Sequence, residues 1–138
     1  MMLELNETSR QKLWFLLQAY AYVNVPYEWS GQDGKGIDCS GLVCECLKAI
    51  GKLEQNRDLD VDGIWNRFKL YEQPAVPHFG CLAFWFKGND GKHVAICLDD
   101  KHCISATAYD EKNRSVKIHP LNYRDQQGLD LKYINIFP

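Results

Sequence analysis

Apolar residues change their spacing about halfway along this chain. In the first half they recur at helical intervals; in the second they run together or alternate. From Thr8 to Val23, Leu13, Leu16, Leu17 and Tyr20 fall at i, i+3, i+4 and i+7, which predicts an amphipathic helix with these four as its apolar stripe. Asn6 or Thr8 can cap its start, and Pro26 prevents its continuation. From Asp38 to Ile50, residues Leu42, Val43, Cys46, Leu47 and Ile50 make a second buried face, with Asp38 as N-cap and Gly51 as the stop. A shorter helix is predicted over Val61 to Leu70, where Ile64, Trp65 and Phe68 keep helical spacing.

The strands follow. Cys81 to Phe86 is a near-continuous apolar run, closed by the turn Gly88-Asn89-Asp90-Gly91. His93 to Leu98, His102 to Ala108, Ser115 to Ile118 and Leu131 to Phe137 read as four further strands. Helices first and strands afterwards predict an α+β fold, with N-terminal helices on a mostly antiparallel sheet of about five strands, in one domain over residues 1–138.

Composition narrows the function classes. With 46% hydrophobic and 12% aromatic residues, the chain can build a core unaided, and a net charge of −2 points to no polyanionic partner. Basic residues interleaved with aromatics, the footprint of nucleic-acid binding, are missing. No apolar run approaches the roughly 20 residues that cross a bilayer. The polar start, Met1 to Arg10, does not look like a signal peptide, so the expectation is a chain made in the cytoplasm. The six cysteines are expected to be reduced, since five of them fall in periodic segments as small hydrophobes. There is no C-x-x-C pair, and Cys44-x-Cys46 on a helix splays its sulfurs apart, so no metal site is expected.

The remaining cysteine, Cys39, carries the chemistry. It stands where a glycine-bearing loop, Ser30 to Ile37, turns into a helix. Unpaired N–H groups at a helix start favour thiolate over thiol, and the thiolate is the nucleophile. A base must accompany it. Of four histidines, His93 has the context: it opens a strand on which His93, Ala95 and Cys97 share one face. Those small residues leave room for a helix end, and the helix beginning at Cys39 is the expected occupant. A three-residue turn from Asp99 to Lys101 pairs Leu98 with His102. Ser105 then lies diagonally from His93, with Thr107 directly opposite. Ser105 is the first choice to orient the imidazole and Thr107 the second. His78 and His119 read as surface residues and His102 as an exposed hairpin residue.

Taken together, these residues resemble the NlpC/P60 family of papain-like cysteine peptidases. Pro26-Tyr27-Glu28-Trp29-Ser30-Gly31 is similar to the family's P-Y-x-W-G-G segment, and Asp38-Cys39-Ser40-Gly41-Leu42-Val43 is identical to its D-C-S-G-L-V motif. Pro77 to Phe84 resembles its P-G-D-L-x-F-F strand, and His93 to Leu98 its H-V-x-I-Y-L strand. The resemblance implies Cys39 as nucleophile, His93 as general base and Ser105 at the third, polar position. It implies Tyr27, Asp38 and Ser40 as residues lining the subsite for the free amine of a stem-peptide L-alanine. The implied substrate is a peptidoglycan stem peptide or muropeptide, cleaved at an amide without metal or organic cofactor. Ser105 departs from the usual histidine, Ser30 from a glycine, and Cys81 from an aspartate at a strand entry, where a capping effect is expected. Two other uses of the scaffold stay open: a thiol amidase or acyltransferase on another substrate, and a weakly active or inactive phage tail, assembly or partner-binding domain. An extracytoplasmic substrate without an export signal leaves three resolutions open: a phage-associated protein, one delivered by a secretion system, or a cytoplasmic role in recycling stem peptides.

Overall fold

A computed structural model describes residues 6–28, 32–33, 36–74, 76–108, 114–123 and 127–137. Three helices come first: α1 (Glu7–Ala21), α2 (Cys39–Ala49) and α3 (Val61–Phe68), the last continued by a 3₁₀ turn over Lys69–Tyr71. Each α-helix begins on a side-chain cap. Asn6 accepts from Ser9 N, Asp38 from Gly41 N and Asp60 from Gly63 N. Gly51, at φ 74°, ends α2 in the left-handed conformation that a glycine adopts without cost.

The predicted loop ahead of α2 contains a small ladder, in which β1 (Gln32–Asp33) pairs with β2 (Gly36–Ile37). The main sheet holds β3 (Leu82–Lys87), β4 (Asp90–Cys97), β5 (His102–Thr107), β6 (Ser115–Pro120) and β7 (Asp130–Ile134). Its order is β6-β5-β4-β3-β7, antiparallel throughout. This is the α+β arrangement that the spacing predicts, and the papain-like fold that the family resemblance implies. The expected four-residue turn before β4 is shorter, because Asp90 and Gly91 already pair with Lys87 and Phe86.

Strand alternation gives the sheet two different faces. Leu82, Phe84, Phe86, Val94, Ile96, Ile104, Ala106, Val116 and Ile134 form the core with α1, α2 and α3. Cys81, Ala83, Trp85, Ala95, Cys97, Cys103 and Tyr133 point the other way and pack under Leu121 and Tyr123.

Two expectations are corrected here. In α1 only Leu16 of the predicted stripe is buried. Phe15, Leu16 and Ala19 face the core, while Leu17 is 51% exposed and Leu13 and Tyr20 are also exposed. The helix is apolar on more than one side, and packing selects the side that meets α2 and Phe137. The helix α2, moreover, does not lie over Ala95 and Cys97. It packs on the Val94–Ile96 face, where larger side chains fill its grooves, and the small residues serve the opposite cluster.

Candidate active site

Cys39 is the first residue of α2 and is half-buried, whereas the other five cysteines are fully buried, and all six are free thiols. Burial pushes the Cys44 thiol up to about 11 and the Cys46 thiol higher still, so neither ionises near neutrality. The contrast isolates Cys39 as the thiol placed at an accessible helix start. Its neighbours serve the cap. Asp38 Oδ1 accepts from Gly41 N at 2.7 Å and from Ser40 Oγ at 3.3 Å. That carboxylate is therefore anchored to the helix terminus, where its charge offsets the macrodipole.

Tyr27 comes to the same place from the preceding segment. Ile37 N donates to Pro26 O at 3.0 Å and Glu28 N to Ile37 O at 3.1 Å, so the chain on either side of Tyr27 is tied to the residue preceding Asp38. The Tyr27 side chain is half-buried against the helix-facing core. The structure thus gathers Tyr27, Asp38, Cys39 and Ser40 around the start of α2. Trp29, Ser30 and Gly31 of the same motif lie outside the described residues.

His93 stands near the start of β4, beside an irregularity. Trp85 pairs with His93 and Phe86 with Gly91, leaving Lys92 as an extra residue. Such a bulge bends a strand and re-aims its side chains. The imidazole is 3% exposed. Its Nε2 lies 3.1 Å from Ser105 Oγ and 2.6 Å from Tyr123 Oη, and the two hydroxyls are 3.4 Å apart. Cys97 pairs with Cys103 and Ile96 with Ile104, the register that places Ser105 diagonally from His93 as expected. The first-choice residue, Ser105, makes the contact; Thr107, the second choice, is buried on the same strand. Moreover, α2 packs on β4 and β5, the strands that carry His93 and Ser105.

Aromatic rings enclose this histidine. Trp85 is directly across the ladder, with ring centroids 5.2 Å apart, and meets Tyr123 edge-on at 5.8 Å. His119 stacks on Tyr123 at 4.3 Å with 8° between planes. His119 is therefore half-buried in the site's wall, not the surface residue its position before Pro120 suggested. Sequence reasoning missed Trp85, His119 and Tyr123. The first two carried a signal: Trp85 alternates onto the face of Ala83, and pairing β5 with β6 puts His119 opposite Cys103 on the Ser105 face. Tyr123 carried none, being 30 positions from His93 in a turn after β6.

The other expectations fall away from this centre. Cys81 Sγ accepts from His78 N at 3.4 Å, the capping contact expected at the strand entry. His102 is exposed beside Asp99, as its hairpin position implies. Among the described residues no group of three or more His, Cys, Asp or Glu side chains could hold a metal ion, and no helix is long and apolar enough to cross a membrane.

Comparison with known proteins agrees with this architecture. The model of the NlpC/P60 family matches residues 24–127. Protein P54 of Enterococcus faecium is 30% identical over 90 residues, which cover 64% of this chain and 17% of that protein, so the chain spans only a small part of this curated relative. The NlpC/p60 domain of the peptidoglycan hydrolase SagA is 25% identical, with a TM-score of 0.66 over 91% of this chain and 98% of that one. The peptidoglycan hydrolase RipB of Mycobacterium tuberculosis shares the fold, with a TM-score of 0.76 at 21% identity over 99% of this chain and 69% of its own.

Proposed function

The chain belongs to the NlpC/P60 family, and from that membership we propose that it is a cysteine-type peptidase that hydrolyses an amide of peptidoglycan stem peptides. The observation that carries this reading is the buried His93, whose Nε2 is engaged by two hydroxyls. A ring held by one nitrogen presents the other, Nδ1, in a fixed direction, which is what a general base requires.

In the proposed reaction Cys39 passes its proton to His93 Nδ1. The thiolate, favoured by the N-terminus of α2, attacks the scissile carbonyl carbon. The oxyanion that forms sits against backbone N–H groups of the first turn, that of Cys39 among them. His93 then gives its proton to the departing amine, leaving an acyl-enzyme. Water, deprotonated by the same imidazole, releases the acid and restores the thiol. Tyr27, Asp38 and Ser40 form the subsite for the substrate's free amine, with the Asp38 carboxylate supplying the opposite charge.

The test is mass spectrometry of purified wall fragments digested with the wild-type protein and with Cys39→Ala. New amine and carboxylate termini within stem peptides, seen with the wild type alone, are expected. Identical digests would remove the peptidase reading.

A further inference from the structure

We propose that Tyr123 is the residue that positions the His93 imidazole, with Ser105 as its hydrogen-bond partner and not the sole third group. This rests on the peptidase reading above for the role of His93, but its geometry is independent of any substrate.

Three observations support it. First, the phenol oxygen is nearer to Nε2 than the serine oxygen is, 2.6 Å against 3.1 Å. Second, the phenol cannot swing away as a serine hydroxyl can. Its ring is clamped by His119 on one face and by the edge of Trp85. Its backbone is fixed too: Leu121 N donates to Lys101 O at 2.7 Å, and Tyr123 N to Pro120 O at 3.1 Å. Third, the two hydroxyls stand 3.4 Å apart and can complete one relay.

The proton inventory sets the direction of that relay. For Nδ1 to accept the thiol proton, the neutral ring must carry its proton on Nε2. Nε2–H therefore donates to Tyr123 Oη, and the phenol donates its own proton to Ser105 Oγ. A phenol donating instead to Nε2 would move the ring proton to Nδ1 and disable the base. Ser105 is the acceptor that keeps the phenol turned the productive way. Once the imidazolium forms, the hydrogen bond from Nε2–H becomes charge-assisted and strengthens. Tyr123 thus supplies orientation and tautomer control where an aliphatic hydroxyl alone supplies a rotatable acceptor.

The experiment compares wild type, Tyr123→Phe and Ser105→Ala by three readouts: kcat on wall peptides, the pH dependence of Cys39 alkylation by iodoacetamide, and the ¹⁵N spectrum of the His93 ring. Tyr123→Phe keeps the stacked ring and removes only the hydroxyl. It should lower kcat about tenfold, the scale of one hydrogen bond to a charged group, with KM little changed. The alkylation profile should move to higher pH, and the His93 nitrogens should shift from one tautomer toward a mixture. Ser105→Ala should cause a smaller change in the same direction. His119, stacked on the same ring, is the neighbouring titratable side chain and is retained in all three proteins. If Tyr123→Phe does not fold, fluorotyrosine at position 123 tests the same point: its weaker acceptor oxygen should shift the profile the same way.

A wild type that leaves wall peptides intact, together with a Tyr123→Phe profile and spectrum that move, upholds the positioning role and overturns only the peptidase reading. An active wild type whose Tyr123→Phe variant matches it in all three readouts overturns the positioning role and leaves the peptidase reading standing.

Discussion

The two faces of the sheet are built from the same strands and do different work. Facing the helices, Leu82, Phe84, Val94, Ile96 and Ile104 contribute large apolar side chains to one continuous core. Facing away, the alternate positions are Ala83, Trp85, His93, Ala95, Cys97 and Ser105, with small residues wherever His93 and its ring partners need space. On the first face, stability depends on filled volume. On the second, a buried imidazole has its Nε2 satisfied by two hydroxyls, so specificity of orientation outweighs bulk. Substitutions should therefore separate into two classes, those that unfold the protein and those that silence it while it stays folded.

The largest separation is expected at His93. His93→Ala should lower the rate on wall peptides by about 10²- to 10⁴-fold, the usual contribution of a positioned base, while circular dichroism shows an intact fold. Loss of activity in step with loss of helix signal would erase the distinction between the faces. Next comes Phe84, fully buried on the helix side with Trp65 edge-on at 5.1 Å. Phe84→Ala should cost about 3–5 kcal/mol in urea unfolding. Ala95→Leu, on the opposite face, probes how tightly the small residues are enclosed, and overpacking there should cost about 1–3 kcal/mol. Asp60→Ala removes the side-chain cap of α3, and about 1 kcal/mol should be lost in the same unfolding measurement.

Thiol reactivity sharpens the same contrast without any substitution. The Cys44 thiol, raised to about 11 by burial, stays protonated and unreactive up to pH about 8.5, where an ordinary cysteine is half ionised. Peptide mapping after brief alkylation in this range should find Cys39 labelled well ahead of the other five. Labelling spread evenly over all six would contradict the burial pattern.

Much of this was legible in the sequence because it depends on local rules. Asp38 caps α2 through its own side chain, and period-2 alternation fixes which residues accompany His93. The turn Asp99 to Lys101 sets the β4–β5 register and hence the contact with Ser105. The misreadings share a cause: they depend on which neighbour covers a surface. The α1 helix could have buried either of two apolar sides, and α2 chose the face of β4 with larger side chains. Tyr123 reaches His93 across 30 positions through a turn, a contact that no spacing rule encodes.

The central claim is that Cys39 and His93 act as one unit, and its most direct measurement is the thiolate absorbance of Cys39 titrated in the wild type and in His93→Ala. Pairing predicts a wild-type thiolate formed well below the ordinary cysteine range of about 8.5, and a return toward that range when the imidazole is removed. Superimposable titrations of the two proteins would contradict the account.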